Sequence, residues 1–141
     1  MSFNLNVSVS PKDLKGLLTK QRKAILKNRK RALLATAVKG SEMILERTAK
    51  GIGYKGAFAE YSDRYAKFRR ATGRSTTPDL FYSGKMLGNM TQKANSNQAV
   101  IFFSRAAEAK KAAMNNDSRP FMGFDRKESE ELSAFFSRKL L

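Results

Sequence analysis

The sequence predicts an α+β chain, on three observations. Residues 2–9 alternate strictly between apolar and polar, residues 11–49 stay helix-compatible, and segments 86–93 and 98–103 flank the polar turn Ala94-Asn95-Ser96-Asn97. Period-two alternation marks a half-buried strand, recurrence at threes and fours a helix, and paired runs about a short polar turn a β-hairpin. At 141 residues and 41% hydrophobic content, the chain fits a single domain over 1–141 with enough apolar surface for a core.

In the opening strand, Phe3, Leu5, Val7 and Val9 share one face, while Ser2, Asn4, Asn6, Ser8 and Ser10 share the other. Alternating strands can also pair across subunits, so these four apolar residues are candidate intersubunit contacts. Ser10-Pro11-Lys12-Asp13 then reads as a helix start: Ser10 can cap, Pro11 suits the first turn, and Asp13 complements the positive helix end. Leu14, Leu17, Leu18, Ile25, Ala32, Thr36 and Ala37 recur at threes and fours, and Val38, Ile44, Leu45 and Thr48 continue the pattern. A straight helix over 11–49 would run ~57 Å, against a gyration radius of ~14 Å for a compact domain of this size. It must therefore bend, break or project, with Gly40 and the polar run Lys27–Arg31 as the expected places.

Charge gives that helix a second meaning. The chain carries 28 Lys and Arg against 12 Asp and Glu, a net +16, which attracts polyanions. Residues 12–31 hold nine Lys or Arg and one acid, Asp13. Lys20, Arg22, Lys23, Lys27, Arg29, Lys30 and Arg31 are the candidate contacts to DNA or another anionic partner, the alternative being a solvated helix face.

Residues 50–80 change character. Gly51, Gly53 and Gly56 punctuate a loop that lacks both the preceding strand and the Gly-Lys-Ser/Thr ending of a phosphate loop. Tyr61, Tyr65 and Phe68 recur at helical spacing and predict a short helix near 60–70. Tyr65 and Phe68 are expected in the core with Arg64, Lys67, Arg69 and Arg70 outside; the alternative is a surface that stacks bases and holds phosphates. A loop over 72–78 precedes the hairpin of 86–103, and the Ala- and Lys-rich segment 105–114 reads as a helix ended by Asn115-Asn116.

Four of the twelve acids crowd into 125–131 of this basic chain. They fit a helix start over 126–140. Asp125 and Glu128 have capping-box spacing, Glu130 and Glu131 lie in the next turn, and Leu132, Phe135, Phe136 and Leu140 form the apolar stripe.

Zero cysteines and zero histidines remove thiolate nucleophiles, disulfides, the usual general base and the commonest transition-metal ligands. No catalytic set, metal site or cofactor site is expected, and the chain reads as a non-enzyme. Pro78-Asp79 followed by Glu108-Ala109-Lys110 has the loose spacing of the PD-(D/E)xK nucleases. That chemistry needs a carboxylate pair on Mg²⁺ and a buried strand, whereas Glu108 sits in an apparently exposed helix and Asp79 follows a turn proline. The longest apolar run, Ala99–Phe103, falls far short of a membrane span, and the N-terminus shows no signal-peptide pattern.

Three segments together resemble a family of tailed-phage morphogenesis proteins, the minor tail protein Z-like, tail-completion or head–tail joining (neck) proteins. They are "ERTAKGIGYKGAFAEYSDRYAKFRRATGRS", "PDLFYSGKML" and "SRPFMGFDRKESEEL", covering about two-thirds of the chain with their surroundings; the N-terminal basic helix has no counterpart motif. The resemblance implies an α+β fold with a small antiparallel sheet packed by helices; the residues themselves place these as a long N-terminal helix and a C-terminal helix. It also implies a structural, non-enzymatic role in the virion: a homo-oligomeric ring, here expected to be a hexamer, at the neck. Its partners would be tail-terminator and head-completion or connector proteins, with genomic DNA passing through, after assembly in the host cytoplasm. The alternatives are a basic nucleic-acid-binding protein without ring function and, behind it, the nuclease.

Overall fold

A computed structural model describes residues 2–6 and 19–141. Val7, Val9 and the helix start at 10–18 lie outside the described residues. Strand β1 (Ser2–Asn6) leads to helix α1 (Thr19–Ala49), the small strands β2 (Ile52–Gly53) and β3 (Gly56–Ala57), and helix α2 (Asp63–Ala71). After a long irregular segment come strands β4 (Met90–Ala94) and β5 (Gln98–Phe103), then helices α3 (Ala106–Ser118) and α4 (Arg126–Leu140). The fold is α+β with two antiparallel sheets, one ordered β1-β5-β4 and the other made of β2 and β3.

The register explains the alternation in β1. Phe3 lies opposite Ile101 and Leu5 opposite Ala99, so the apolar phase of β1 matches the buried phase of β5. β1 thus has a partner strand in its own chain, and its other edge has none among the described residues. The hairpin joins β4 to β5 with Ala94 opposite Ala99, and Asn95 Oδ1 accepts from the N–H groups of Asn97 and Gln98 at the turn. Residues 86–89, expected in the first strand of the hairpin, instead end in a short 3₁₀ turn at Leu87–Asn89.

α1 lies across this sheet, and α4 packs along α1. Leu33, Ala37 and Ile44 of α1 are fully buried and share one core with Ala99, Ile101 and Phe103 of β5, Phe121 and Phe136. Gln92 of β4 donates to the Ser41 hydroxyl at 2.8 Å, fixing the sheet to the helix with a polar contact.

α1 corrects the expectation of a break. It runs unbroken for 31 residues, about 46 Å at the standard rise, through both Lys27–Arg31 and Gly40. Length is accommodated by projection, since no residue from 21 to 28 is buried. Gly40 serves packing: a Cβ there would sit 2.7 Å from the Phe124 ring and 3.4 Å from Ile101. Tertiary contact outweighs the ~1 kcal/mol that glycine costs inside a helix. The helix stops where Gly51 takes φ +75° and its N–H bonds the Thr48 carbonyl at 2.9 Å.

α3 also outruns its expected end, continuing through Asn115-Asn116 to Ser118. Asn116 acts on the next segment instead, its Oδ1 accepting from the N–H groups of Phe121 and Met122 at 3.0 and 2.9 Å. α4 begins as expected, with the reciprocal Asp125–Glu128 capping box formed and Leu132 and Phe136 buried. Among the described residues no helix is long and apolar enough to cross a membrane.

Gly53 sits where β2 meets the segment before α4: a Cβ there would lie 2.0 Å from the Pro120 carbonyl oxygen. Backbone cannot yield as a side-chain tip can, so Gly53→Ala is expected to cost at least about 2 kcal/mol, several degrees in Tm. Gly88→Ala meets nothing within 4 Å and should be close to neutral. Calorimetry that ranks the two equally would contradict this packing.

Candidate functional site

Two regions hold surface chemistry, and they differ in construction. The first is the projecting half of α1. Arg22, Lys23, Lys27, Lys30 and Arg31 are exposed along it, and α1 has no acid before Glu42. Arg29 departs from its expected role as a contact: it is 5% exposed, with its Nε unpartnered. It sits one turn before Leu33, where the arm enters the body. The Lys20 side chain is outside the described residues.

The second is a cleft of about 630 Å³ between α2, the segment 80–86 and α3. Its floor corrects the expected orientation of α2. Tyr65 and Phe68 are exposed at 37% and 46%, whereas Arg69 is 2% exposed. Aromatic spacing suggested the reverse, because periodicity counts apolar residues and has no place for a buried cation. Tyr61, Tyr65 and Arg69 are spaced i, i+4, i+8, and of the three Arg69 is the buried one, with both rings beside it. The Tyr61 and Tyr65 rings meet edge to face with centroids 4.8 Å apart, and the Arg69 guanidinium lies 5.0 Å from Tyr61 and 5.9 Å from Tyr65.

Arg69 is satisfied on its other side by the irregular segment. Nε donates to the Ser75 carbonyl at 2.6 Å, and one terminal nitrogen donates to the Phe81 carbonyl at 3.0 Å and to Asp79 Oδ1 at 3.3 Å. One planar fork therefore shapes a loop with no regular backbone bonding of its own. The same Asp79 oxygen accepts from the Phe81 N–H at 3.0 Å, and between them Leu80 is held at φ +57°. A leucine in the left-handed region persists only where its surroundings fix it, and Arg69 with Asp79 supplies that fixation.

Arg119 closes the opposite wall. It donates to the carbonyls of Ala59 and Glu60 at 2.8 and 3.1 Å, and its guanidinium lies 4.9 Å from the Tyr61 ring. Burial pushes the Tyr61 phenol above its ordinary pKa, with Arg69 pulling it back and Asp79 adding to the rise. The phenol stays protonated in the neutral range, able to donate a hydrogen bond.

The two carboxylates of the nuclease pattern have separate partners. Asp79 is a turn residue bound to Arg69, as its proline context suggests. Glu108 lies on a helix as expected but is 5% exposed rather than on the outer face, paired with Lys111 at 3.4 Å. Its Ala-rich surroundings reflect close packing against β5, with Ala112 one turn on also buried. Among the described residues no three carboxylates gather to hold a metal ion. Comparison with protein-family models, curated proteins and solved structures finds no match to this chain.

Arg69→Lys keeps the charge but loses the fork, leaving the Ser75 and Phe81 carbonyls without their donors. It is expected to cost about 2 kcal/mol or more and to open residues 74–84 to limited proteolysis. Phe68→Ala, at an exposed position, should cost under about 1 kcal/mol. Equal losses in denaturant unfolding would put the aromatic side of α2, not Arg69, in the structural role.

Proposed function

We propose that this chain is a structural virion protein of a tailed bacteriophage, a neck or tail-completion subunit that forms a homo-oligomeric, hexameric ring joining tail to head. One observation carries the reading: the three separated segments that resemble the neck family pack on one another. Arg47 of the first segment donates to the Phe121 and Gly123 carbonyls and pairs with Glu128 at 3.0 Å, all in the third. Gly53 of the first lies against Pro120 of the third, and Arg69 of the first binds Asp79 of the second. The shared residues are fold-building ones, as suits a protein that works by assembling. The edge of β1 that has no partner among the described residues offers a route to strand pairing between subunits, and the α1 arm offers a basic surface for DNA or for the acidic face of a tail-terminator or head-completion protein.

A second reading, a basic nucleic-acid-binding protein without ring function, is favoured by the five exposed cations of the arm alone. Lysates separate the two. Without this chain, a neck role gives filled or leaking heads beside tails of normal length, and later addition of the protein restores joining. Replacing Arg22, Lys23, Lys27 and Lys30 with Gln should weaken joining, most visibly at raised salt, where the remaining attraction is screened. Complete infectious particles from lysates lacking the chain would end the neck reading and leave the second.

A further inference from the structure

The assembly reading uses α1 and the packed segments but leaves the α2–α3 cleft without a role. Its chemistry is narrow. Tyr61, Tyr65, Phe81 and Tyr82 line it with Arg69, Lys111 and Arg119, and among the described residues no carboxylate lines it. Guanidinium groups lie by three of the rings: Arg69 by Tyr61 and, at 5.9 Å, by Tyr65, Arg119 by Tyr61, and Arg74 3.9 Å from Tyr82. Tyr65 and Phe81, at 37% and 51% exposure, keep aromatic surface open to solvent.

The positive charge is fixed and only partly offset. Arg119 spends its hydrogen bonds on two neutral carbonyls and has no carboxylate partner among the described residues. Lys111 is 57% exposed and 3.4 Å from Glu108, a pair that leaves its ammonium open to a further anion. Exposed ring surface beside cations whose charge is only partly offset suits a planar ring carrying an anion. A simple phosphate would use the charge and waste the rings. A duplex has its base faces stacked away and cannot use the rings either. The volume falls among small-ligand pockets, which span roughly 300–1,000 Å³.

We propose that this cleft binds an unstacked nucleotide, its base against Tyr65 and Phe81 and its phosphate toward Arg119 and Lys111. The nucleotide is either free or one unit of a single strand, the recognition chemistry being the same.

The test titrates the full chain with a fluorescein-labelled oligothymidylate, the same strand in duplex form, and thymidine monophosphate as competitor. The single strand should bind more tightly than the duplex at equal salt. Tyr65→Ala with Phe81→Ala should weaken single-strand binding about ten-fold or more and leave duplex binding unchanged. Lys27→Gln with Arg31→Gln should lower both alike, since that arm offers only charge. Competition by the monophosphate assigns a free-nucleotide site, and its failure beside tight strand binding assigns a strand site; both support the proposal. Equal affinity for strand and duplex with the ring variant unaffected overturns it, as does no binding of either strand or monophosphate. Photocrosslinking of an iodouracil-bearing strand to the unmutated protein is independent of variant folding. Adducts on Tyr65, Phe81 or Tyr82 support the site, and adducts confined to α1 overturn it. Head–tail joining is read separately, so failure here leaves the assembly reading standing.

Discussion

One guanidinium ties the first and last helices of the described residues together. Arg47, in the last turn of α1, reaches the Phe121 and Gly123 carbonyls and the Glu128 carboxylate, so the C-terminal end of one helix is bonded to the N-terminal start of another. Arg47 and Glu128 side chains are only 12% and 16% exposed, so removing either leaves a poorly solvated charge behind. Around this point the chain between α3 and α4 has no freedom left. Asn116 binds the Phe121 and Met122 amides, Phe121 is fully buried, Gly123 lies against the Tyr54 ring and Phe124 against Gly40. Asp125 then caps α4. The position of α4 on α1, and with it the burial of Leu132 and Phe136, follows from that sequence of contacts.

The +16 charge divides into two populations with different physics. Arg47, Arg69 and Arg119 point inward and satisfy main-chain carbonyls of irregular segments. Lysine could not replace them, because a point charge on a flexible stem lacks the planar fork that serves two or three acceptors at once. The exposed Lys and Arg of α1 have no such task, and their repulsion along a helix without nearby acids is a standing cost that an anionic partner would relieve. The aromatic cleft lies between these populations, built by inward arginines yet open to a ligand. Inward arginines thus hold the irregular segments, and two of them, Arg69 and Arg119, also line the cleft.

Much of this is legible in the sequence. The alternation of Phe3 and Leu5 matches the register with Ile101 and Ala99, the hairpin turn falls between Ala94 and Gln98, and Asp125 and Glu128 form the box their spacing implies. These are local rules, in which a few neighbouring residues decide the outcome. What was missed depends on distant partners. Arg69 is buried because Ser75, Asp79 and Phe81 return to meet it, which turns Tyr65 and Phe68 outward against their spacing. Gly40 carries Phe124 across the helix instead of ending it, and Glu128 serves Arg47 as well as its own helix start. Ala-rich surroundings made Glu108 look exposed, whereas the same small side chains let α3 approach β5 closely enough to bury it.

The central claim is that the segment from Arg119 to Glu128 is an integral part of the body, locked by Arg47, and not a loop laid over it. Native-state hydrogen exchange measures this directly. The amides of Phe121 and Met122, bonded to Asn116, should exchange only through the opening that also releases Ile44 and Thr48 in α1, with matching free energies. In Arg47→Met the two groups should weaken together. Exchange of Phe121 and Met122 through a separate, much easier opening, while Ile44 and Thr48 stay protected, would contradict the account.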